Sequence, residues 1–331
     1  MAIFKIEEAH REGARLVLGL GGVSGSGKTY SALQLAWGLA NFDSKKVGLI
    51  CTENRRGRLY ADSLRDQNGN VHRFLVGDFQ PPFSPSRYIE AINAFVAAGV
   101  EVLVIDSVSH EWNGIGGCED IANQPDGNGK APKNPRWNTA KLEHKKFMNA
   151  MLQSPVHVIA CMRAQPKVKL ENQNGKTVYL DQGILPIQEK SFTFELTASM
   201  MMWNGGKQRD VLKCPDELAS IFGRSGEMAE GYLTAQHGKL LRDWVDGGNQ
   251  IDPEVQRAWD HLSMVCENGM EALQAAWKKL PTELRKKIDP TGCPAVLKES
   301  ATAFDQQRQY QAENDNAVDD LNNMVMGTNN D

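Results

Sequence analysis

The stretch Gly22-Val-Ser-Gly-Ser-Gly-Lys28-Thr29 fits G-x-x-x-x-G-K-[ST], the pattern of a loop that cradles nucleotide phosphates. The flanking sequence fits as well. Residues 16–20 form an apolar run typical of a buried strand, and residues 30–40 carry apolar side chains at helical spacing. A chance glycine turn would lack this frame. The sequence therefore predicts a strand, a phosphate-binding loop and a helix over residues 16–40.

Each residue type in this loop has a physical role in holding a nucleotide. Glycines let backbone N–H groups approach phosphate without Cβ clashes, and the following helix N-terminus adds partial positive charge. A lysine here reaches the β- and γ-phosphates, and the next hydroxyl can ligate Mg²⁺. With ATP and Mg²⁺ as expected cofactors, the predicted binding residues are Gly22, Val23, Ser24, Gly25, Ser26, Gly27, Lys28, Thr29 and Tyr30.

Two further apolar runs end in an acid. Asp106 follows residues 101–105, and an aspartate in this position of P-loop proteins holds Mg²⁺ through water, although a helix N-cap is an alternative. Glu53 follows the run at residues 47–51. Ligands bind at the carboxyl ends of strands in open α/β sheets, so Glu53 is a candidate to activate the attacking water. The alternative is an exposed ion pair between Glu53 and a nearby arginine.

The order of elements predicts an α/β fold. Continuous apolar strands alternate with helices over the first 160 residues, which indicates a mainly parallel sheet covered on both faces. Shorter strands from about residue 192 suggest an antiparallel extension. We expect an ATPase domain over residues 1–248, a small helical module over 249–304 and a disordered acidic tail over 305–331.

Composition narrows the class of protein. The net charge is −4, and residues 301–331 contribute −5, so the remainder sums to +1. The six cysteines are scattered without a C-x-x-C pair, which argues against a disulfide framework or a zinc site. No apolar run reaches membrane-spanning length, so we expect no membrane partner and a reducing, cytoplasmic location.

Three segments together resemble a known family. They are the phosphate loop, Thr52-Glu-Asn-Arg-Arg-Gly-Arg-Leu-Tyr-Ala-Asp62 and Ile105-Asp-Ser-Val-Ser-His-Glu-Trp112. The order is similar to the RecA-like ATPase core. The motifs resemble phage and prophage ATP-binding proteins, some of them described as RecA-like single-strand annealing proteins. The resemblance covers residues 10–247. It implies a bacterial host cytoplasm, a homo-oligomer or filament, and a single-strand binding protein as a further candidate partner.

The resemblance also assigns roles to residues. It implies that Lys28, Thr29 and Asp106 hold phosphate and Mg²⁺ and that Glu53 activates water. The strand after Asp106 ends in a γ-phosphate sensor in RecA-like cores, so Arg163 and Gln165 are sensor candidates, with Arg163 departing from the usual Gln. Lys207 and Arg209 have the spacing of the basic pair that RecA inserts into a neighbouring ATP site. The alternative is that they are charged residues at an exposed hairpin tip.

Two long segments, residues 113–136 and 165–191, look irregular, and such loops are usually functional. Lysines beside aromatic residues suit single-stranded DNA, and the candidates are Lys167, Lys169 and Lys176, unless both segments are solvated lids. His110 and Glu111 are expected close to the γ-phosphate, since no third metal ligand is evident. The sequence therefore favours an ATPase that binds and anneals single strands in recombination. The alternatives are a P-loop phosphotransferase and a nucleotide switch without DNA binding.

Overall fold

The computed structural model describes residues 15–125, 130, 132–173, 176–247, 253–289 and 292–326. The side chains of residues 169–173, 176–179, 253, 256 and 311–326 are not among the described parts. The chain divides into two compact units, the first ending at Ile251 and the second beginning at Asp252. The predictions for Lys169 and Lys176 therefore concern backbone positions only.

The first unit is built on one large sheet. Its strands are β1 (Val17–Gly22), β2 (Val47–Cys51), β5 (Leu75–Asp78), β6 (Val102–Asp106), β7 (His157–Gln173), β8 (Lys176–Pro186), β9 (Ala198–Trp203), β10 (Gln208–Lys213) and β11 (Met228–Glu230), and β3 (Leu64–Arg65) pairs with β4 (Val71–His72) separately. The order is β11-β10-β9-β1-β7-β6-β2-β5, with β8 paired to β7. The central pairs are parallel, and β8, β10 and β11 add antiparallel pairs. The predicted α/β fold with an antiparallel extension is confirmed.

Helices cover both faces of the sheet because its central strands are apolar throughout. The helices of this unit are α1 (Lys28–Leu39), α2 (Pro85–Ala97), α3 (Ser109–Asn113), α4 (Cys118–Asn123), α5 (Trp137–Leu152), α6 (Phe192–Glu195), α7 (Ala219–Phe222) and α8 (Ala235–Val245). One core joins α1 and α8 to the sheet, and the other joins α2 and α5 to its opposite face. Residues in β1, β2 and β6 are all buried. Burial on both faces removes the alternation expected of a half-exposed strand.

Helices α1 and α8 approach closely where each carries a glycine. An added Cβ on Gly38 would lie 1.7 Å from the carbonyl oxygen of Ala235, and one on Gly238 would lie 2.1 Å from that of Leu35. Neither distance is compatible with a side chain, so the two glycines set how closely the helices pack. This contact supports α1, the helix that begins at Lys28.

The second unit is helical, as its sequence pattern predicts. It contains α9 (Pro253–Val265), α10 (Met270–Lys279), α11 (Thr282–Ile288) and α12 (Ala295–Met326). Leu262, Cys266, Leu273, Leu297 and Ala301 form its core. Within the described residues of both units, no helix combines the length and the apolar composition needed to cross a membrane.

Three sequence-based expectations differ from the structure. The tail predicted to be disordered from residue 305 continues α12 to Met326, since residues 305–326 lack Gly and Pro and contain many helix formers. Residues 165–191 are not an irregular loop, because β7 and β8 pair as far as Gln173↔Lys176. The shorter strands expected from about residue 192 begin later, because residues 192–195 form α6 and β9 begins at Ala198. The sequence signal that could have indicated the pairing of β7 with β8 is Asn174-Gly175, a dipeptide typical of hairpin turns.

We predict that His157 makes the folding stability of the protein depend on pH. Its Nδ1 accepts the Leu16 N–H at 3.1 Å, and burial lowers its pKa to about 4. The folded chain therefore binds fewer protons than the unfolded chain between an unfolded pKa of about 6.5 and about 4, so stability falls as pH falls through this window. The free energy of unfolding is expected to fall by about 3 kcal/mol between these two pH values. Urea unfolding at about pH 7 and about pH 4 measures it.

The matched variant is His157→Asn, whose side-chain oxygen can accept the same N–H and does not titrate. We expect its unfolding free energy to fall less over this pH range than that of the wild type. Identical pH dependence in the two proteins would show that His157 does not cause the loss.

Candidate nucleotide-binding site

The predicted phosphate loop connects β1 to α1 at the carboxyl edge of the parallel strands. Gly25 and Gly27 adopt left-handed φ angles of 78° and 85°. Gly27 also lies against the turn between β9 and β10, where an added Cβ would be 2.5 Å from the Gly205 carbonyl oxygen. Only glycine meets both conditions. The loop is therefore fixed from both ends, by β1 and by this turn.

The Lys28 side chain lies over the loop that precedes it. Its Nζ donates to the carbonyl oxygens of Gly22 at 2.9 Å and Val23 at 2.8 Å, and to Ser26 Oγ at 3.4 Å. The residue is 9% exposed. Its ammonium group is thus held among oxygen atoms at the first turn of α1, where a phosphate group would also receive the helix dipole.

Thr29 and Asp106 meet although they are far apart in sequence. Thr29 Oγ1 donates to Asp106 Oδ2 at 2.5 Å. Burial raises the pKa of Asp106, while the Thr29 hydrogen bond and Lys28 oppose the shift. A buried carboxylate beside a hydroxyl offers hard oxygen ligands and gains from a nearby cation. These two residues fit Mg²⁺, which would supply charge neutralisation beside the phosphates.

The strand order explains how β7 reaches the same edge. β7 lies between β1 and β6, with Arg163 opposite Gly22 and Cys161 opposite Asp106. The segment just after these pairs therefore enters the space between the loop and Asp106. This edge encloses a cavity of about 260 Å³.

Most of the residues predicted for the nucleotide site line this cavity. The predicted residues that line it are Gly22, Ser24, Gly25, Lys28, Thr29, Glu53, Asp106, Arg163 and Gln165. Of the rest of the loop, Val23 and Ser26 contact Lys28, and Tyr30 is 45% exposed in the first turn of α1. Tyr60, which has no predicted role, and Arg56, one of the arginines that follow Glu53 in the chain, also line the cavity. Their placement in the motif around Glu53 is the signal that could have indicated them.

A hydrogen-bond network orients Arg163 beside Glu53. Arg163 Nη1 donates to His110 Nε2 at 3.1 Å, and burial lowers the pKa of His110, which favours the neutral ring. The ring proton therefore belongs on Nδ1, which donates to Thr52 Oγ1 at 2.7 Å. Thr52 Oγ1 also accepts the Ser107 N–H at 2.7 Å. The network ties the ends of β2, β6 and β7 together.

Glu53 lies near two basic groups without a hydrogen bond to either. Its Oε1 is 3.9 Å from His110 Nε2 and 4.0 Å from Arg163 Nε. These distances exceed hydrogen-bond length, so the carboxylate keeps acceptor capacity while it faces the cavity. That is the arrangement a water-activating base requires.

Glu111 faces away from this cavity, contrary to the expectation that it lies close to the γ-phosphate. It is fully buried and accepts from His144 Nδ1 at 3.0 Å and Cys118 Sγ at 3.1 Å. Successive helix residues point about 100° apart, so His110 and Glu111 in α3 face different surroundings. Glu111, Cys118 and His144 are close enough to share a metal ion, but their donors and acceptors already satisfy one another. They join α3, α4 and α5.

The basic pair predicted to act on a neighbouring ATP site does not lie together at an exposed tip. Lys207 is exposed, but Arg209 is 2% exposed and donates to the carbonyl oxygens of Phe222, Gly231 and Ile221. Arg209 therefore stabilises the end of α7 and is not available to another protomer. Lys207 lies in the turn that precedes β10, whereas Arg209 lies within the strand.

The DNA candidates lie on the hairpin that leaves the cavity. Lys167 is partly buried on β7, Lys169 is also on β7 and Lys176 begins β8. Val168 is 57% exposed on the same ribbon. The hairpin therefore presents lysine positions and apolar surface beyond the edge of the main sheet.

A profile of the AAA domain family matches residues 14–195, more than half of the chain. The chain belongs to this family. The first unit therefore contains an AAA domain, and its α/β sheet with a phosphate loop after β1 is a P-loop nucleotide-binding fold. Among solved structures, a KaiC-like protein from the hyperthermophilic archaeon Pyrococcus horikoshii OT3 is similar, with 15% identity, 68% of this chain and 87% of that chain covered, and a TM-score of 0.39. No curated protein matches this chain.

Proposed function

We propose that this chain hydrolyses ATP and uses its nucleotide state to bind and anneal single-stranded DNA in phage or prophage recombination. The observation that supports the DNA role is the continuity of β7. Arg163, Ala164 and Gln165 line the nucleotide cavity, and the same strand continues into the β7–β8 hairpin. A change at the γ-phosphate can therefore move the hairpin through one covalent strand.

The residues that line the cavity have different roles in ATP hydrolysis. Lys28 binds the phosphates, and Thr29 with Asp106 would hold Mg²⁺, which would neutralise phosphate charge. Glu53 accepts a proton from the attacking water, whose oxygen forms the new bond to the γ-phosphorus as the bond to the β–γ bridging oxygen breaks. ADP and inorganic phosphate are the products.

The hairpin has properties that suit a nucleic-acid partner. It extends about 26 Å beyond Gln165 at about 3.3 Å per residue. A two-stranded ribbon is marginally stable alone, and Val168, Leu180 and Leu185 are exposed on it. Three lysines outweigh Glu171 and Asp181 between residues 164 and 186, a modest positive charge. Stacking of bases on the apolar surface would then add to phosphate contacts.

We predict that single-stranded DNA binds more tightly than duplex DNA, with affinity that falls steeply as salt rises. Lys167→Glu combined with Lys169→Glu should weaken this binding by about tenfold or more, because two phosphate contacts are lost and two negative charges gained. Fluorescence anisotropy with and without ATP measures it. The matched control reverses two exposed lysines elsewhere, Lys45 and Lys278.

Turnover assays separate this proposal from its alternatives. Stimulation of ATP hydrolysis by single-stranded DNA supports the annealing role, and stimulation by a small phosphate acceptor supports a phosphotransferase. A nucleotide switch is supported if neither compound stimulates ATP hydrolysis and if DNA affinity does not change with salt or with the lysine substitutions. We also propose assembly into an oligomer or filament on DNA, with a single-strand binding protein as a partner, which sedimentation with and without these components tests.

A further inference from the structure

The turn after β2 is built to hold a short basic segment against the cavity. Asn54 and Arg55 adopt left-handed φ angles of 48° and 65°, and the Arg56 N–H donates to the Glu53 carbonyl oxygen at 3.0 Å. Gly57 then packs on β2, since an added Cβ would lie 2.7 Å from Leu49 Cδ2. Its N–H donates to Cys51 Sγ at 3.2 Å. The backbone that carries Arg56 is therefore fixed directly beside Glu53.

The three arginines of this turn have different surroundings. Arg58 donates twice to Asp78 Oδ2, at 2.8 and 2.9 Å, and Arg55 Nε lies 3.5 Å from the same oxygen. Asp78 ends β5, so these two arginines attach the turn to the neighbouring strand. Arg56 lines the cavity, and its guanidinium has no hydrogen bond or ion pair among the described residues. One cation of the three is thus left facing the nucleotide site.

Arg163 brings a further guanidinium to the same cavity from a different strand. The neutral His110 ring accepts from its Nη1 and holds its direction, and the Arg163 N–H donates to Ser109 Oγ at 2.9 Å. Lys28, Arg56 and Arg163 therefore supply three positive charges from three chain segments. Glu53 and Asp106 are the acids that line the cavity with them.

This charge distribution matches a triphosphate better than a diphosphate. Lys28 and the loop amides serve the β-phosphate, whereas additional guanidinium groups suit the equatorial oxygens of the γ-phosphate, where charge is spread during transfer. In many nucleotide hydrolases an arginine from a neighbouring molecule provides this charge. Here Arg209, the predicted candidate for that task, is buried against carbonyl oxygens.

We propose that Arg56 and Arg163 form a γ-phosphate subsite supplied in cis, so that one protomer carries the whole charge set for hydrolysis. This inference rests on the proposed ATPase function. The subsite also links the nucleotide state to the β7–β8 hairpin, because Arg163 lies on β7 just before the residues that continue into the hairpin. After the γ-phosphate is lost, Arg163 keeps its His110 contact but no longer has a phosphate partner.

The first test compares the affinities of ATPγS and ADP in folded protein by calorimetry. Arg56→Ala and Arg163→Ala should each lower ATPγS affinity by about tenfold or more, the usual scale for a charged hydrogen bond, with ADP affinity unchanged. Arg56→Lys should restore part of the preference. Arg73→Ala is the matched control, since Arg73 is exposed and pairs with Asp62 outside the cavity. Variants that keep the wild-type ratio of the two affinities would overturn the subsite.

The second test decides between cis and trans action. Turnover by Arg56→Ala should fall by about 10²-fold or more, and mixing it with Lys28→Ala should not restore activity, because neither protomer then holds a complete site. Recovery of turnover on mixing would overturn the cis assignment. A wild type that binds neither nucleotide contradicts the proposed function itself, whereas unchanged affinity ratios in the variants contradict only the subsite.

Discussion

Replacing Glu53 by glutamine is expected to lower ATP turnover by about 10²- to 10⁴-fold while ATP affinity stays unchanged. Glutamine keeps the size and hydrogen-bonding reach of the side chain but cannot accept a proton from water. The structure leaves the Glu53 carboxylate 3.9 and 4.0 Å from its two basic neighbours, so its role is not that of a tightly bonded structural pair. Single-turnover hydrolysis with bound ATP measures the chemical step alone.

Glu90→Gln is the matched control for this substitution, because Glu90 is exposed on α2. It should retain wild-type turnover. Glu111 is a poor substitute for Glu53, since His144 and Cys118 occupy its carboxylate in a buried cluster. Turnover of Glu53→Gln within about threefold of the wild type would contradict the general-base assignment, whose expected effect is far larger.

Gly38→Ala is expected to destabilise the first unit by at least about 3 kcal/mol, the upper range for overpacking. Alanine favours a helix by about 1 kcal/mol over glycine, but the new Cβ would lie 1.7 Å from the Ala235 carbonyl oxygen. That oxygen belongs to the backbone of α8 and cannot rotate away, so α1 and α8 must separate. The strain therefore outweighs the helix propensity. Urea unfolding followed by circular dichroism measures the loss.

Asn93→Ala on the exposed surface of α2 is the control, because it adds alanine to a helix without a close contact. It should change stability by less than about 0.5 kcal/mol. Gly238→Ala should behave like Gly38→Ala, since its Cβ would lie 2.1 Å from the Leu35 carbonyl oxygen. A stabilised Gly38→Ala protein would show that the two helices are not packed as described.

The sequence predicts the central strands and the first helix well because their signals are local. The loop pattern, the apolar run before it and the helical spacing after it all lie within residues 16–40. The acids at strand ends follow from the general rule that parallel strands end at one edge. For this reason Lys28, Thr29, Glu53 and Asp106 can be assigned to one site from the sequence, and the structure places all four around one cavity.

The remaining features depend on contacts distant in sequence. Arg209 looks like an exposed hairpin cation until the carbonyl oxygens of Ile221, Phe222 and Gly231 surround it. Arg56 is indistinguishable from Arg55 and Arg58 in sequence, and only Asp78 at the end of β5 separates their roles. Such choices are made by tertiary packing, which a one-dimensional pattern does not record.

The most direct test of the central claim is a calorimetric titration with ATPγS and Mg²⁺ of the wild type and of Lys28→Ala. Lys28 lies over the loop with its ammonium group on three oxygen atoms, where it can reach a phosphate. We predict saturable binding by the wild type and a loss of affinity of about 100-fold or more in a Lys28→Ala protein with an unchanged circular dichroism spectrum, since a buried charged partner is removed. Equal affinity in the two folded proteins would contradict the assignment of this loop as the nucleotide site.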